Sequence, residues 1–266
     1  VRTWLPGLIA ATVVGCAMNA TVPSSPPAAA RAELAPAGKL RAAINFGNPV
    51  LANRDATTGD PRGVSVDIAR ELVRRLDVEI VLVPYSAAGK VVDDARANVW
   101  DVAFVAIDPK RAVDMDYSAP YVIIEGAYLV RDGSAIRSNA DVDRDGVRIS
   151  VGRGSAYDLF LSRELKHATL VRTSVSQGAT DQMLAQDLEV TAGVKQQLQA
   201  DARRVPGVHL LDGRFMVIEQ AMATPKGRPE GARYLVAFIE ELKANGFVAD
   251  ALKRHAIEGA AVAPGK

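Results

Sequence analysis

"AFVAIDPKRAVDMDYSAPY", residues 103–121, changes character halfway along its length. Read from Asp101, "DVAFVAI" carries hydrophobic side chains on both faces, the pattern of a strand buried in the middle of a parallel sheet. Asp108, Pro109 and a lone Arg111 then stop the apolar run. The chain turns back through Asp116, Tyr117, Ser118, Pro120 and Tyr121. An arginine at the mouth of a buried strand is either a surface cation paired with Asp108 or Asp114, or a group that meets a ligand.

Working outward, strands and helices alternate on both sides of this segment. Upstream, "LRAAINF" is a short apolar run ending in Gly47, Asn48 and Pro49, and "GVSVDIARELVRRL" places Ile68, Leu72, Val73 and Leu76 on one helical face. "EIVLVPY" is a strand, and residues 90–98 a short helix. Downstream, "VRISVG" is a strand, "SAYDLFLSREL" a helix with Ser155 at its N-cap, "ATLVR" a strand and "SQGATDQMLAQ" a helix. "LEVTAG", "VKQQLQADARR" and "VHLLD" continue the series. "GARYLVAFIEELKANG" closes it, with Leu235, Phe238, Ile239 and Leu242 at helical spacing and Gly246 as C-cap. Such alternation implies right-handed crossovers and parallel sheets, and two α/β units suit a chain of 266 residues.

Composition agrees with a globular protein, with 48% hydrophobic and 24% charged residues. The 32 basic and 31 acidic residues are interspersed and leave a net charge of +1, which gives no footprint for nucleic acid. The N-terminus reads as an export signal: Arg2, then the apolar "WLPGLIAATVVG", then Cys16. "VVGC" resembles the lipobox of bacterial lipoproteins, with Cys16 lipidated and residues 1–15 removed. The other reading is a secretory signal cut after a site such as Ala30-Arg31-Ala32, with Cys16 discarded. On either reading the mature chain leaves the cytoplasm, and with one cysteine it forms no internal disulfide. Residues 16–38, rich in Ala, Pro and Ser without apolar period, read as a flexible tether outside the fold.

The series "GKLRAAINFGNP", "GVSVDIARELVRRL", "WDVAF", "DPKRAVDMDYSAPY", "GVRISVGRGSAYD" and "YLVAFIEELKANGF" resembles the bacterial extracellular solute-binding proteins, family 3, over Lys39 to His255. The resemblance implies a two-lobed α/β clamshell, each lobe a mostly parallel sheet flanked by helices. Residues 39–130 and 222–258 would form lobe one, 131–221 lobe two and 259–266 a tail, with crossings near "GAYLVRDG" and "EQAMATPKG". It implies a periplasmic or extracytoplasmic monomer that serves an ABC-type uptake system. That protein would capture a small anionic or amino-acid-like solute, one with a carboxylate or other anionic group, in the cleft between its lobes, need no cofactor or metal, meet a membrane permease, and touch the membrane itself only through a lipid on Cys16.

Several site residues follow from the same resemblance. Arg111 falls on the arginine of the family's Thr-x-x-Arg segment, whose planar fork holds a ligand carboxylate. "VGRGSAYD" matches a Gly/Ser/Thr-rich turn at a helix N-terminus, where backbone N–H groups favour an anion; Arg153, Gly154, Ser155 and Tyr157 belong to it. Phe46 and Asn48 follow the first strand, where the family carries an aromatic lining the cleft, although Phe46 is equally a core residue. Ser65 and Asp67 read as helix caps. Glu125 and Glu219, near the crossings, would meet either a ligand amine or a lysine.

Two departures bear on the solute. The Gly-Met-Thr element before the arginine segment is absent, and Asp108 stands where a threonine is common. The aspartate that binds a ligand ammonium is also missing, replaced by Ala192, Gly193 and Val194. A standard α-amino acid held in the standard way is therefore not expected; a carboxylate lacking the amine, or another small anionic or polar metabolite, fits better.

Catalytic motifs are lacking. His167, His209 and His255 have no metal spacing, "GRGSA" is no nucleophile elbow, and there is no P-loop or dinucleotide fingerprint. Periplasmic cyclohexadienyl dehydratases share the scaffold, and Asp108, Glu125 and Glu219 keep such an enzyme as the alternative. A ligand-sensing subunit for a membrane partner is the third.

Overall fold

The computed structural model describes residues 26–265. After helix α1 (Ala28–Leu34), the first α/β unit runs β1 (Lys39–Asn45), a small hairpin β2 (Asn53–Arg54) and β3 (Pro61–Arg62), α2 (Val64–Leu76), β4 (Glu79–Tyr85), α3 (Ala88–Asp93) and β5 (Val102–Ala106). A single-turn 3-10 helix, Arg111–Val113, leads into the long strand β6 (Met115–Arg131). The second unit runs β7 (Arg148–Gly152), α4 (Ala156–Glu164), β8 (Thr169–Thr173), α5 (Ala179–Ala185), β9 (Val190–Val194), α6 (Lys195–Arg204) and β10 (Val208–Leu210). Strand β11 (Met216–Pro225), α7 (Pro229–Ala244), α8 (Phe247–Arg254) and β12 (Ala261–Val262) follow.

Among the described residues one sheet joins strands in the order β4-β1-β5-β11-β6-β9-β7-β8, with β10 and β12 also paired to β6. β1 lies parallel between β4 and β5, and β7 lies parallel between β8 and β9. Each unit thus repeats the same order around its first strand, and each crossover is a helix, as expected where buried parallel strands are linked. Between the units run β11 and β6, antiparallel to one another. The two-lobed α/β expectation is met, and β5 is buried at every position, as "DVAFVAI" predicts.

Two segments read as lying outside the fold belong to it. Residues 28–34 of the expected tether form α1, with Ala30 and Leu34 fully buried. Pro26 and Pro27 precede this helix, where proline costs nothing, and "AAARAEL" is rich in the best helix former. Glu33 accepts a 2.7 Å hydrogen bond from the Gly231 N–H in the first turn of α7, covering one of the orphan donors there. Ala30-Arg31-Ala32, the alternative cleavage site, lies within α1. The expected tail likewise contributes β12, which pairs with Val122 and Ile123, because β6 leaves an edge there for it to complete. Cys16 and the export signal lie outside the described residues.

Asp101 fastens the first unit. It is fully buried and accepts from Arg41 Nε (2.9 Å), Arg41 Nη2 (2.8 Å) and Arg228 Nη1 (2.9 Å), tying β1, β5 and the approach to α7. Burial pushes its carboxyl up, but the two guanidinium groups and the Arg41 N–H outweigh this and hold it below the ordinary value. Trp100, also buried, donates to the Val91 carbonyl at 3.0 Å and fixes α3 against β5.

Candidate functional site

The C-terminal ends of β1, β5, β7 and β9 converge where the two units face each other, the position at which open α/β sheets place ligands. A cavity of about 30 Å³ lies there, lined from the first unit by Asn45, Asn48, Ala88, Ala106 and Arg111 and from the second by Ser155, Ala156, Tyr157, Ser176 and Val194. Ile218 and Gln220 of β11 complete it. Gln220 sits at an irregularity in the register between β11 and β6, opposite the stretch that contains Pro120. A proline interrupts the ladder, and the resulting bulge re-aims the neighbouring side chain.

Arg111 is the charged side chain of this cavity, 1% exposed. Asp108, three residues earlier, starts the 3-10 helix by accepting from the Arg111 and Ala112 N–H groups through its carbonyl. The guanidinium is held by two backbone carbonyls: Nη1 donates to Ala106 of its own unit at 2.8 Å, and Nη2 donates to Gly154 of the other unit at 2.7 Å. Its Nε is buried without a partner. Burial lowers the pKa of the group, countered by Tyr117 and Asp108 nearby. No carboxylate lines the cavity.

The remaining predicted residues divide. Asn48 lines the cavity, buried, with its Oδ1 unpaired; Ser155 and Tyr157 line it as well, and burial raises the Tyr157 phenol. Gly154, at φ +67°, supplies the carbonyl that Arg111 holds. Asp108 does not reach the cavity. It is buried in an ion pair with Arg163 of α4, 2.9 Å away, because the loop after β5 lies against that helix. Phe46 is also turned away: its ring lies under the Arg54 guanidinium, 4.7 Å from the centroid, and packs on the core. Arg153 is exposed on the outer side of the turn.

The turn itself is already occupied by a resident carboxylate. Ser155 caps α4 by accepting from the Asp158 N–H at 3.0 Å, and Asp158 accepts from the Gly154 N–H at 2.7 Å. Arg172 balances that charge at 2.9 Å. Ser65, expected as a cap, instead meets the Tyr121 hydroxyl at 3.1 Å inside the core, and Asp67 pairs with Arg254 and His255. Glu125 is bound by Lys195 and Arg214, which hold it below the ordinary carboxylate range, and Glu219 is exposed.

Contacts between the units that the sequence did not disclose surround the cavity. Gln177 Nε2 donates to the Phe46 carbonyl at 2.6 Å. Gly89 of α3 rests on Arg153 and Gly154 so closely that a Cβ on it would stand 2.8 Å from the Arg153 oxygen. Among the described residues there is no cluster suited to a metal ion, and no helix is long and apolar enough to cross a membrane.

This geometry, two parallel α/β units joined by paired strands and closing on a buried guanidinium, is that of a two-lobed binding protein. The sequence profile of the bacterial extracellular solute-binding proteins, family 3, matches residues 40–257, and the chain belongs to that family. Solved structures are similar in fold. The solute receptor for L-cysteine of Neisseria gonorrhoeae is 20% identical with a TM-score of 0.75, over 86% of this chain and 94% of that one. An amino acid ABC transporter substrate-binding protein from Streptococcus pneumoniae, bound to L-arginine, is 18% identical with a TM-score of 0.71, over 83% and 95%. An ancestral amino acid-binding protein, a precursor of cyclohexadienyl dehydratase, is 20% identical with a TM-score of 0.71, over 84% and 98%. No curated protein sequence matches the chain.

Proposed function

We propose that the chain is the solute-capturing component of an ABC-type uptake system and that it takes a small carboxylate without a cationic group. The observation that supports this is the cavity's charge: one buried guanidinium and no acidic side chain to receive an ammonium. Arg111 keeps Nη1 on Ala106, so the Nε–Nη2 edge is the part of the fork that can donate to both oxygens of a carboxylate. To do so the Gly154 carbonyl must withdraw, since the solute competes for Nη2. The space of about 30 Å³ equals the share of one water in the liquid, so an organic solute requires the lobes to part and close again around it. L-cysteine and L-arginine receptors share the fold, and here the missing carboxylate separates this cavity from a site built for an α-amino acid.

A dehydratase would need an acid at the substrate, and the carboxyl groups considered for that role are held elsewhere by Arg163, Lys195 and Arg214 or lie exposed. Thermal shift against mono- and dicarboxylates, amino acids and aromatic acids tests the proposal. A ligand at a hundred times its dissociation constant raises Tm by about 5 to 10 °C. Arg111→Lys keeps a charge but loses the fork, and should weaken that solute by about ten- to a hundredfold. A solute that binds equally well to the lysine variant, or exclusive binding of zwitterionic amino acids, would overturn the assignment.

A further inference from the structure

Outside the cavity, on the other side of the Gly89–Gly154 contact, the two lobes enclose a crevice of about 720 Å³. This is the size of sites that hold small organic ligands. Its charge is one-sided. Lys90 and Lys110 enter from the first lobe and Arg153, Arg163 and Arg172 from the second, while Asp93 and Asp158 are the acidic lining residues. Arg163 is balanced by Asp108 and Arg172 by Asp158, at 2.9 Å each. Five lining cations are thus set against two lining carboxylates and Asp108 behind Arg163, and two positive charges are left over. Among the described residues Lys90, Lys110 and Arg153 form no ion pair, and Lys90 is held by the Ser86 hydroxyl at 2.8 Å; Lys110 and Arg153 come from opposite lobes, and Arg153 is the residue expected at the solute that the fold turns outward. Ser162 and Ser174 add hydroxyls, and Pro109 and Leu159 give the crevice an apolar wall.

We infer that this crevice is a second ligand site, for a small organic dianion such as a dicarboxylate or a phosphate monoester, held between Lys110 and Arg153. Two uncompensated cations in a shaped recess favour a doubly charged ligand over a singly charged one, and the apolar wall favours one with a carbon body. Because each lobe supplies a charge, the dianion binds the lobes in the arrangement seen here and draws the equilibrium towards it. The inference rests on the lobes meeting in this way and not on the solute bound at Arg111.

Isothermal titration of the full chain with succinate and with glycerol 3-phosphate, at constant ionic strength and with acetate as the singly charged control, tests the site. At least one of the two dianions should bind saturably, tighter than about 1 mM, with acetate at least tenfold weaker. The double variant Lys110→Gln, Arg153→Gln should weaken that dianion at least about tenfold, and by clearly more than Arg111→Ala, which removes one tie between the lobes but no charge of the crevice. Both exchanged side chains are exposed and unpaired, so the double variant should unfold like the parent, which circular dichroism verifies. Silence from both dianions, indifference to the double variant, or equal loss in Arg111→Ala would each overturn the inference. The last result would place the dianion in the central cavity, and a solute found at Arg111 by the earlier screen would stand regardless.

Discussion

Arg111 carries two loads at once, since its guanidinium ties the lobes through Gly154 and is the one charge in the cavity. Asp101 carries one, and it is structural. Replacing Asp101 with asparagine leaves Arg41 and Arg228 without their buried counter-charge and should cost about 3 to 5 kcal/mol of stability, measured by urea unfolding at pH 7. Because the folded carboxyl sits below its ordinary value, its contribution is complete above the ordinary carboxylate range and fades as pH falls through the depressed value. The parent should therefore lose stability in acid, and the asparagine variant should show a flatter profile there. Arg111 was legible in the sequence because a lone arginine after a doubly apolar strand is conspicuous and "MDYSAPY" follows it. Arg163 and Gln177 were not, since their partners Asp108 and Phe46 lie 55 and 131 positions away and only the closing of one lobe on the other brings them together.

At the scale of elements, α1 and α3 make opposite kinds of prediction. Leu34 of α1 is fully buried and packs against Gly231 of α7. Leu34→Ala should destabilise the protein by about 2 to 5 kcal/mol, and a chain begun at residue 37 should unfold earlier still by the same urea assay. Gly89 lies in α3 without a positive φ, so alanine suits its own helix, yet the new Cβ would press on the Arg153 carbonyl at 2.8 Å. Gly89→Ala should thus unfold much like the parent but bind solute about tenfold more weakly, since the closed arrangement alone bears the overlap. The strand and helix alternation that built both units was readable from apolar periodicity. Helix α1 was not, because an alanine-rich run has too few large apolar side chains to show a period, and its neighbouring prolines read as a break when they are a start.

For the molecule as a whole, the lobes meet through modest polar contacts, among them the hydrogen bonds Arg111 to Gly154, Gln177 to Phe46 and Gln196 to Glu258, and the Arg163–Asp108 pair. The guanidinium of that pair is partly exposed but its carboxylate is buried, so loss of Arg163 leaves Asp108 without its counter-charge. Arg163→Gln together with Gln177→Ala should favour the open form, seen as a larger radius of gyration by small-angle scattering that solute restores. An unchanged radius in the absence and presence of solute would mean that the lobes do not swing.

The link through which the lobes would swing is made by β6 and β11. These strands cross between the lobes side by side, bonded to each other from Met115–Pro225 to Gly126–Met216. A link of two independent threads could bend anywhere, at the cost of stray conformations. A laddered ribbon twists along its length and keeps its amide hydrogens shielded while it does so. Hydrogen exchange should therefore be slow at Val122, Ile124 and Ile218 whether or not solute is bound, with the change on binding confined to the loops that face the cleft. Opening along such a ribbon would be a change of pitch, with the ladder between β6 and β11 returning the lobes to register.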